Sequence, residues 1–215
     1  MTFKDLTFKK KIEHIWEYYK VPILGTILVI FILGSWIYNA KFKPHKELFS
    51  GVAMLNYKLP EEKGYVDPLY DAINSELGLT DTNYEVKVEY FYDDPNEPDM
   101  FSSMLEKFAA MLLAGDINIM IMDKDSMEEY AYEDYLLNLA LVYSLDDLEK
   151  MEEEGLVLST SSELDPIKHY YAFSLKNSTM LKDLPGFDLE NSYIAIYGAE
   201  TEPYNPKQVV DLLIN

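Results

Sequence analysis

From Val21 to Tyr38 the chain reads VPILGTILVIFILGSWIY, eighteen residues without a charge. As a helix this run spans ~27 Å, close to the ~30 Å hydrocarbon core of a bilayer. Its flanks fit the same reading. Trp16, Tyr18 and Tyr19 precede it, and Trp36 and Tyr38 close it. Aromatic rings at both ends match the two interfacial belts of a membrane span. Trp16 and Trp36 would stand ~30 Å apart on a helix. Pro22, near the start of the run, sits where a kink is tolerated. The sequence therefore predicts a basic cytoplasmic segment over 1–20, a transmembrane helix over 21–40, a stalk over 41–47 and an extracytoplasmic domain over 48–215.

Lysine counts set the expected orientation. Lys4, Lys9, Lys10, Lys11 and Lys20 lie before the span, and Lys41, Lys43 and Lys46 lie after it. The bias places the amino terminus in the cytoplasm and the larger domain outside. Two alternatives are a cleaved signal peptide and a buried helix of a soluble protein. Cleavage would fall after Ala40, with the bulky Tyr38 where a small residue belongs. A lipid anchor on cysteine is excluded, as are disulfides and thiolate metal sites, because the chain has no cysteine.

The charge is divided. Residues 1–46 carry eight Lys against Asp5, Glu13 and Glu17, a balance of +5; residues 47–215 carry ten Lys against 35 Asp and Glu, a balance of -25. All 18 basic residues are lysine, so the bidentate guanidinium is missing. A surface this acidic argues against nucleic acid as a partner. Disorder is the other reading of an acidic chain. The 48% of hydrophobic residues and the 18 tyrosines oppose it, since they suffice for a core.

Beyond the span, hydrophobic periodicity sets out an α/β order. Leu48–Tyr57 reads as a buried strand, and Leu69, Ile73 and Leu77 form a helical stripe ended by Gly78. Tyr84–Tyr92 alternates as a strand. A helix follows, capped by Asp99, with Met100, Met104, Phe108 and Met111 on one stripe and Gly115 at its end. Asp116–Met122 reads as a strand, then a short helix capped by Asp125 or Ser126 and running through Tyr132. Leu136, Leu137 and Leu139 pack back. Asp146–Glu154 is an acidic helix, His169–Leu175 and Tyr193–Tyr197 are strands, and Asn205–Ile214 is a closing helix with Pro206 in its first turn. Strands alternating with helices imply a mostly parallel mixed sheet within a single α/β sandwich domain.

This order resembles the extracellular solute-binding proteins of the type II periplasmic-binding fold. The residues that carry the likeness are Gly115-Asp116-Ile117-Asn118, where the family has a Gly-Asp-x-Asp strand start, the short helix at Met127–Ala131 and the LLNL run at 136–139. They also include YAFSL at Tyr171–Leu175, similar to the family's returning hinge strand, and the strand-loop-helix close from Ser192. Asn118 stands at the second acidic position. The resemblance implies one lobe of such a protein. About 24 residues separate Leu145 from His169, where the second lobe would be inserted. A single lobe cannot close on a ligand by hinge motion.

Open α/β sheets bind ligands at the carboxyl ends of their strands. That singles out the loops 56–65, 93–99 and 123–126, with Tyr57, Asp123 and Ser126 as candidate ligand contacts. Helix capping and packing explain the same residues without a ligand. The acidic turn at 93–99 suggests calcium but lacks the glycine and the twelfth-position ligand of a calcium loop. His14, His45 and His169 have no zinc spacing, and phosphate-loop, nucleophile-elbow and dinucleotide motifs are absent. No cofactor is expected, and no catalytic residue is assigned.

Tyrosine is the remaining signal. Tyr130, Tyr132 and Tyr135 lie beside Glu128 and Glu129, with Tyr170, Tyr171, Tyr193, Tyr197 and Tyr204 elsewhere. Tyrosine serves both core rims and contact surfaces. The expected function is a non-catalytic, solute-binding-like domain that holds a membrane-protein or extracellular partner. A receptor for a small molecule or a cationic peptide is the alternative.

Overall fold

The computed structural model describes residues 8–42, 46–59, 68–92, 98–161, 166–198 and 205–215. The chain divides into two units, Met1–His45 and Lys46–Asn215.

The described residues of the first unit form one helix, α1, over Phe8–Phe42. It carries Pro22 inside, and the Thr26 hydroxyl donates to the Pro22 carbonyl at 2.9 Å. Tyr19–Tyr38 has a mean hydropathy of 2.2 and none of it is buried. Phe31 is 74% exposed, a state water penalises along the whole face. A helix of this length and apolarity is compatible with a single-pass membrane anchor or a signal sequence. Trp16, Tyr19, Trp36 and Tyr38 are exposed on it; the Tyr18 side chain lies outside the described residues. The helix continues two residues into the expected stalk, and 43–45 are outside the description.

The second unit is α/β, with a six-stranded mixed sheet. In chain order it runs β1 (Glu47–Leu55), α2 (Pro68–Glu76), β2 (Tyr84–Phe91), α3 (Pro98–Ala114), β3 (Ile119–Asp123) and α4 (Lys124–Tyr132). There follow α5 (Leu145–Glu153), β4 (Val157–Thr160), β5 (His169–Ser174), β6 (Ser192–Ile196) and α6 (Pro206–Leu213). The strand order is β2-β1-β3-β6-β5-β4.

The expectation of a mostly parallel sheet is corrected. β1 pairs parallel with β2 and β3, but the β3–β6, β6–β5 and β5–β4 pairs are all antiparallel. Helices α2 and α3 supply the crossovers that parallel pairing requires. No helix separates β4 from β5 or β5 from β6 among the described residues, so those strands reverse direction. Strand β4, absent from the sequence reading, extends the sheet at its edge. Opposite its Leu158–Ser159 step β5 carries one extra residue. This bulge turns Tyr171 and Ala172 toward the same core.

Alternation along the strands sends residues to two cores. On one face Val52, Met54, Ile119, Ile121, Ile194 and Ile196 meet Leu69 and Ile73 of α2, Leu148 of α5 and Val209, Val210 and Leu213 of α6. On the other, Ala53, Met120, Met122 and Ala195 meet Phe108 of α3 and Met127 and Ala131 of α4. Asn74 of α2 ties the first face to edge strand β2. Its side-chain amide donates to the Val86 carbonyl at 3.0 Å and its oxygen accepts from the Val86 N–H at 2.9 Å. A side chain that covers an edge strand blunts its tendency to pair further.

Two backbone constraints shape the α3 side. A Cβ on Gly51 would lie 1.7 Å from the Asp116 carbonyl oxygen, so only glycine allows the chain leaving α3 to cross β1. Beside it, Asn118 accepts from the Ser50 hydroxyl at 2.6 Å and from the Gly51 N–H at 3.1 Å. Asn118 therefore clamps β1 to the start of β3.

Candidate functional site

The carboxyl ends of β1, β2 and β3 converge beside α3 and the start of α4. There a hollow of about 200 Å³ opens. Leu55, Phe91, Met104 and Phe108 give it an apolar wall, and Asn56, Ser126 and Tyr130 bring polar atoms to it. It exists because α3 is lightly packed: among its described side chains only Phe108 is fully buried, with Met104 half-buried and Leu105 exposed. Phe108 holds the wall by an edge-on contact with Phe91, centroids 4.9 Å apart. Lys107 reaches back to Glu89 at 2.5 Å.

Asp123 organises the polar side. It is the N-cap of α4, accepting from the Ser126 N–H at 2.9 Å, which corrects the expectation that Asp125 or Ser126 caps this helix. Its second oxygen accepts from the Ser126 hydroxyl at 2.9 Å and the Asn56 side-chain amide at 3.0 Å. Asn56 adopts a left-handed φ of 59°, a conformation asparagine tolerates better than most residues. Burial pushes the Asp123 carboxyl up, but the hydrogen bonds from Ser126 and Asn56 outweigh it and hold the group below its ordinary range.

Of the three candidate ligand contacts, Asp123 and Ser126 stand together and Tyr57 stands apart. Tyr57 is buried in the opposite core. Its hydroxyl donates to the Pro185 carbonyl at 3.0 Å, and its ring packs on Tyr90 and Phe187. The parts of the loops at 60–65 and 93–97 lie outside the described residues, as does the side chain of Asp99.

Next to the hollow runs the tyrosine edge. Tyr130 is half-buried and meets Tyr135 edge-on at 5.9 Å. Tyr132 and Tyr135 are 53% and 48% exposed, and Glu128 and Glu129 are exposed on α4. Glu128 pairs with Lys124 at 3.5 Å. Burial, then Tyr197 and Glu129, raise the Tyr130 phenol; Glu133 raises that of Tyr135. Both rings stay neutral hydrogen-bond donors at physiological pH. Tyr170, Tyr193 and Tyr197 are half-buried, and Tyr171 is buried in the core; Tyr204 lies outside the description.

His169 is held by Asn138, whose side-chain nitrogen lies 2.9 Å from Nδ1. No group of three or more potential metal ligands occurs among the described residues. Asn56 opens the loop 56–65 that the sequence singled out, whereas Phe91 and Leu105 were missed as pocket residues. An asparagine directly after an apolar strand is the signal that a turn sits there. Chemically, the site offers apolar burial with a few hydrogen-bonding groups at its rim.

In comparisons with protein families, curated proteins and solved structures, the chain has no match.

Proposed function

We propose that this chain is a single-pass membrane protein displaying a solute-binding-like α/β domain outside the cell, with its amino terminus in the cytoplasm. Residues 21–40 hold it in the bilayer. Its work is non-catalytic: it is an accessory subunit that holds a partner in a membrane complex, a transporter being one such complex. The observation that carries this reading is the edge formed by Tyr132 and Tyr135 with Glu128 and Glu129. Large amphipathic tyrosine rings are enriched in contact surfaces, and charge belongs to the rim around them.

The test is photo-crosslinking in native membranes, with a reactive residue at Tyr132 or Tyr135 and a control at Glu76 on the opposite helix layer. A discrete partner crosslinked from the tyrosine edge alone is the expected result. Equal capture from Glu76, or none from either edge position, would defeat the reading. The second reading is a receptor for a small molecule or cationic peptide; the polar groups that Asn56, Ser126 and Tyr130 bring to the hollow are the observation in its favour.

A further inference from the structure

Three features of the α3–α4 side point the same way. The first is the hollow itself, walled by Leu55, Phe91, Met104 and Phe108. At about 200 Å³ it falls short of the roughly 300–1,000 Å³ of most small-ligand pockets. It has room for a side chain or two.

The second is the outer face of α3. Leu105 lines the hollow and is 55% exposed; Leu113, two turns on, is 91% exposed. Exposed Ala109 lies between them. This stripe runs ~12 Å from the mouth of the hollow along the helix. A compact ligand in the hollow would leave it in water.

The third is charge. Ser126 and Tyr130 face the hollow from α4, and each is preceded by an acid, Asp125 and Glu129. With Glu133, the C-cap of α4, these form a row at four-residue spacing along one side of the helix and its end. All three are exposed. Among the described residues no lysine pairs with them, since Lys124 is engaged by Glu128. Three like charges at this spacing repel one another and are relieved by an incoming cation.

We propose that the hollow receives a large apolar side chain from a lysine- or arginine-bearing segment of a protein partner, with the basic residues set against Asp125, Glu129 and Glu133. This rests on the partner-binding reading above and names the chemistry of what is bound. A second copy of the chain is a poor occupant, because it brings the same acidic row and the same balance of -25 over 47–215. An anionic lipid surface is disfavoured for the same reason.

The test uses the full chain in phosphatidylcholine nanodiscs and labelled pentapeptides. Each has a central leucine, phenylalanine or alanine flanked by two lysines on either side, with a glutamate-flanked leucine peptide as the charge control. Leucine and phenylalanine centres should bind about tenfold or more tighter than alanine, the difference expected for burying a few methylene groups. The glutamate-flanked peptide should not bind. With methyl-labelled methionine, the Met104 signal should shift while Met54, buried in the opposite core, stays still. Leu105→Trp, at an exposed helix position, should close the mouth and erase the preference for leucine over alanine. Glu129→Lys with Glu133→Lys should weaken every lysine-flanked peptide tenfold or more.

Equal binding of leucine and alanine centres, a stationary Met104, or equal binding of the glutamate-flanked peptide would overturn the proposal. So would equal binding to empty nanodiscs, which would mark a lipid effect. The two readings fail separately. If the Tyr132 crosslink survives Leu105→Trp at full yield, the hollow is not used and the partner reading stands. If no crosslink forms, the partner reading falls whatever the peptides do.

Discussion

The two faces of the sheet are built from the same strands by the same alternation, yet they are finished differently. On the α2–α6 face Leu69, Ile73, Leu148, Val209, Val210 and Leu213 are all 1% exposed or less. On the α3–α4 face one described residue of α3 is fully buried, Leu113 stands in water, and a hollow remains beneath the helix. The first face secures the fold by dense burial, and the second leaves apolar side chains of α3 exposed.

The strongest way to break this comparison is to disturb the tightest backbone approach on the open face. Gly51→Ala puts a methyl group where the Asp116 carbonyl lies. Neither partner is a flexible side-chain tip, so the cost should exceed ~4 kcal/mol, in the range of severe core lesions. The expected result is loss of the near-ultraviolet circular dichroism of the domain, with the helical signal of α1 retained. A normal thermal transition in this variant would mean that the open face yields easily at its base as well.

A matched pair sharpens the contrast. Ile73→Ala on the sealed face should cost about 2–5 kcal/mol, by lost transfer energy and an unfilled cavity. Phe108→Ala should also destabilise, being the principal anchor of α3. If chemical denaturation instead gave Ile73→Ala and Leu113→Ala the same loss, the two faces would be energetically alike.

Asp123 tests the seam between hollow and helix. Removing this cap with Asp123→Ala should cost ~1 kcal/mol, the usual value for an N-cap. The sign of its pH dependence is fixed. The carboxyl is held below its ordinary range in the fold, so its stabilisation is complete above the unfolded value of ~3.9 and is lost as pH falls through the folded value. Acid titration of wild type against the variant should converge below that range. Smallest of all, Leu113→Ala should change stability by no more than ~0.5 kcal/mol.

Much of the order of elements was legible because it rests on local signals. The stripe of Leu69 and Ile73, the alternation of Tyr84–Tyr90, the glycine after α3 and Pro206 at the start of α6 each report on their neighbours in sequence. What was not legible depends on distant partners. Val157–Thr160 is too short to show a period, and it becomes a strand only because β5 lies alongside it. The sheet's change from parallel to antiparallel after β3 follows from β6 inserting between β3 and β5, which no local pattern encodes. The same limit governs the site. Asp123 and Ser126 are three residues apart and were read together. Tyr57 follows Leu55 by two residues, but the left-handed turn at Asn56 sends it into the opposite core. Met104 and Phe108 were legible as a buried stripe; that the stripe stops short of filling the space beneath it was not.

The position of β1 has a mechanical consequence. It is an inner strand, bonded in parallel to β2 on one side and β3 on the other, and it begins five residues after the end of α1. A pull on its amino-terminal end, resisted at the carboxyl ends of the strands, runs along the hydrogen-bond ladders and not across them. The evenly spaced bonds of parallel pairs then share the force on both flanks and must slip together, whereas an edge strand would peel open one bond at a time. The strand that follows α1 in sequence is thus harder to draw out of the sheet under tension than an edge strand would be.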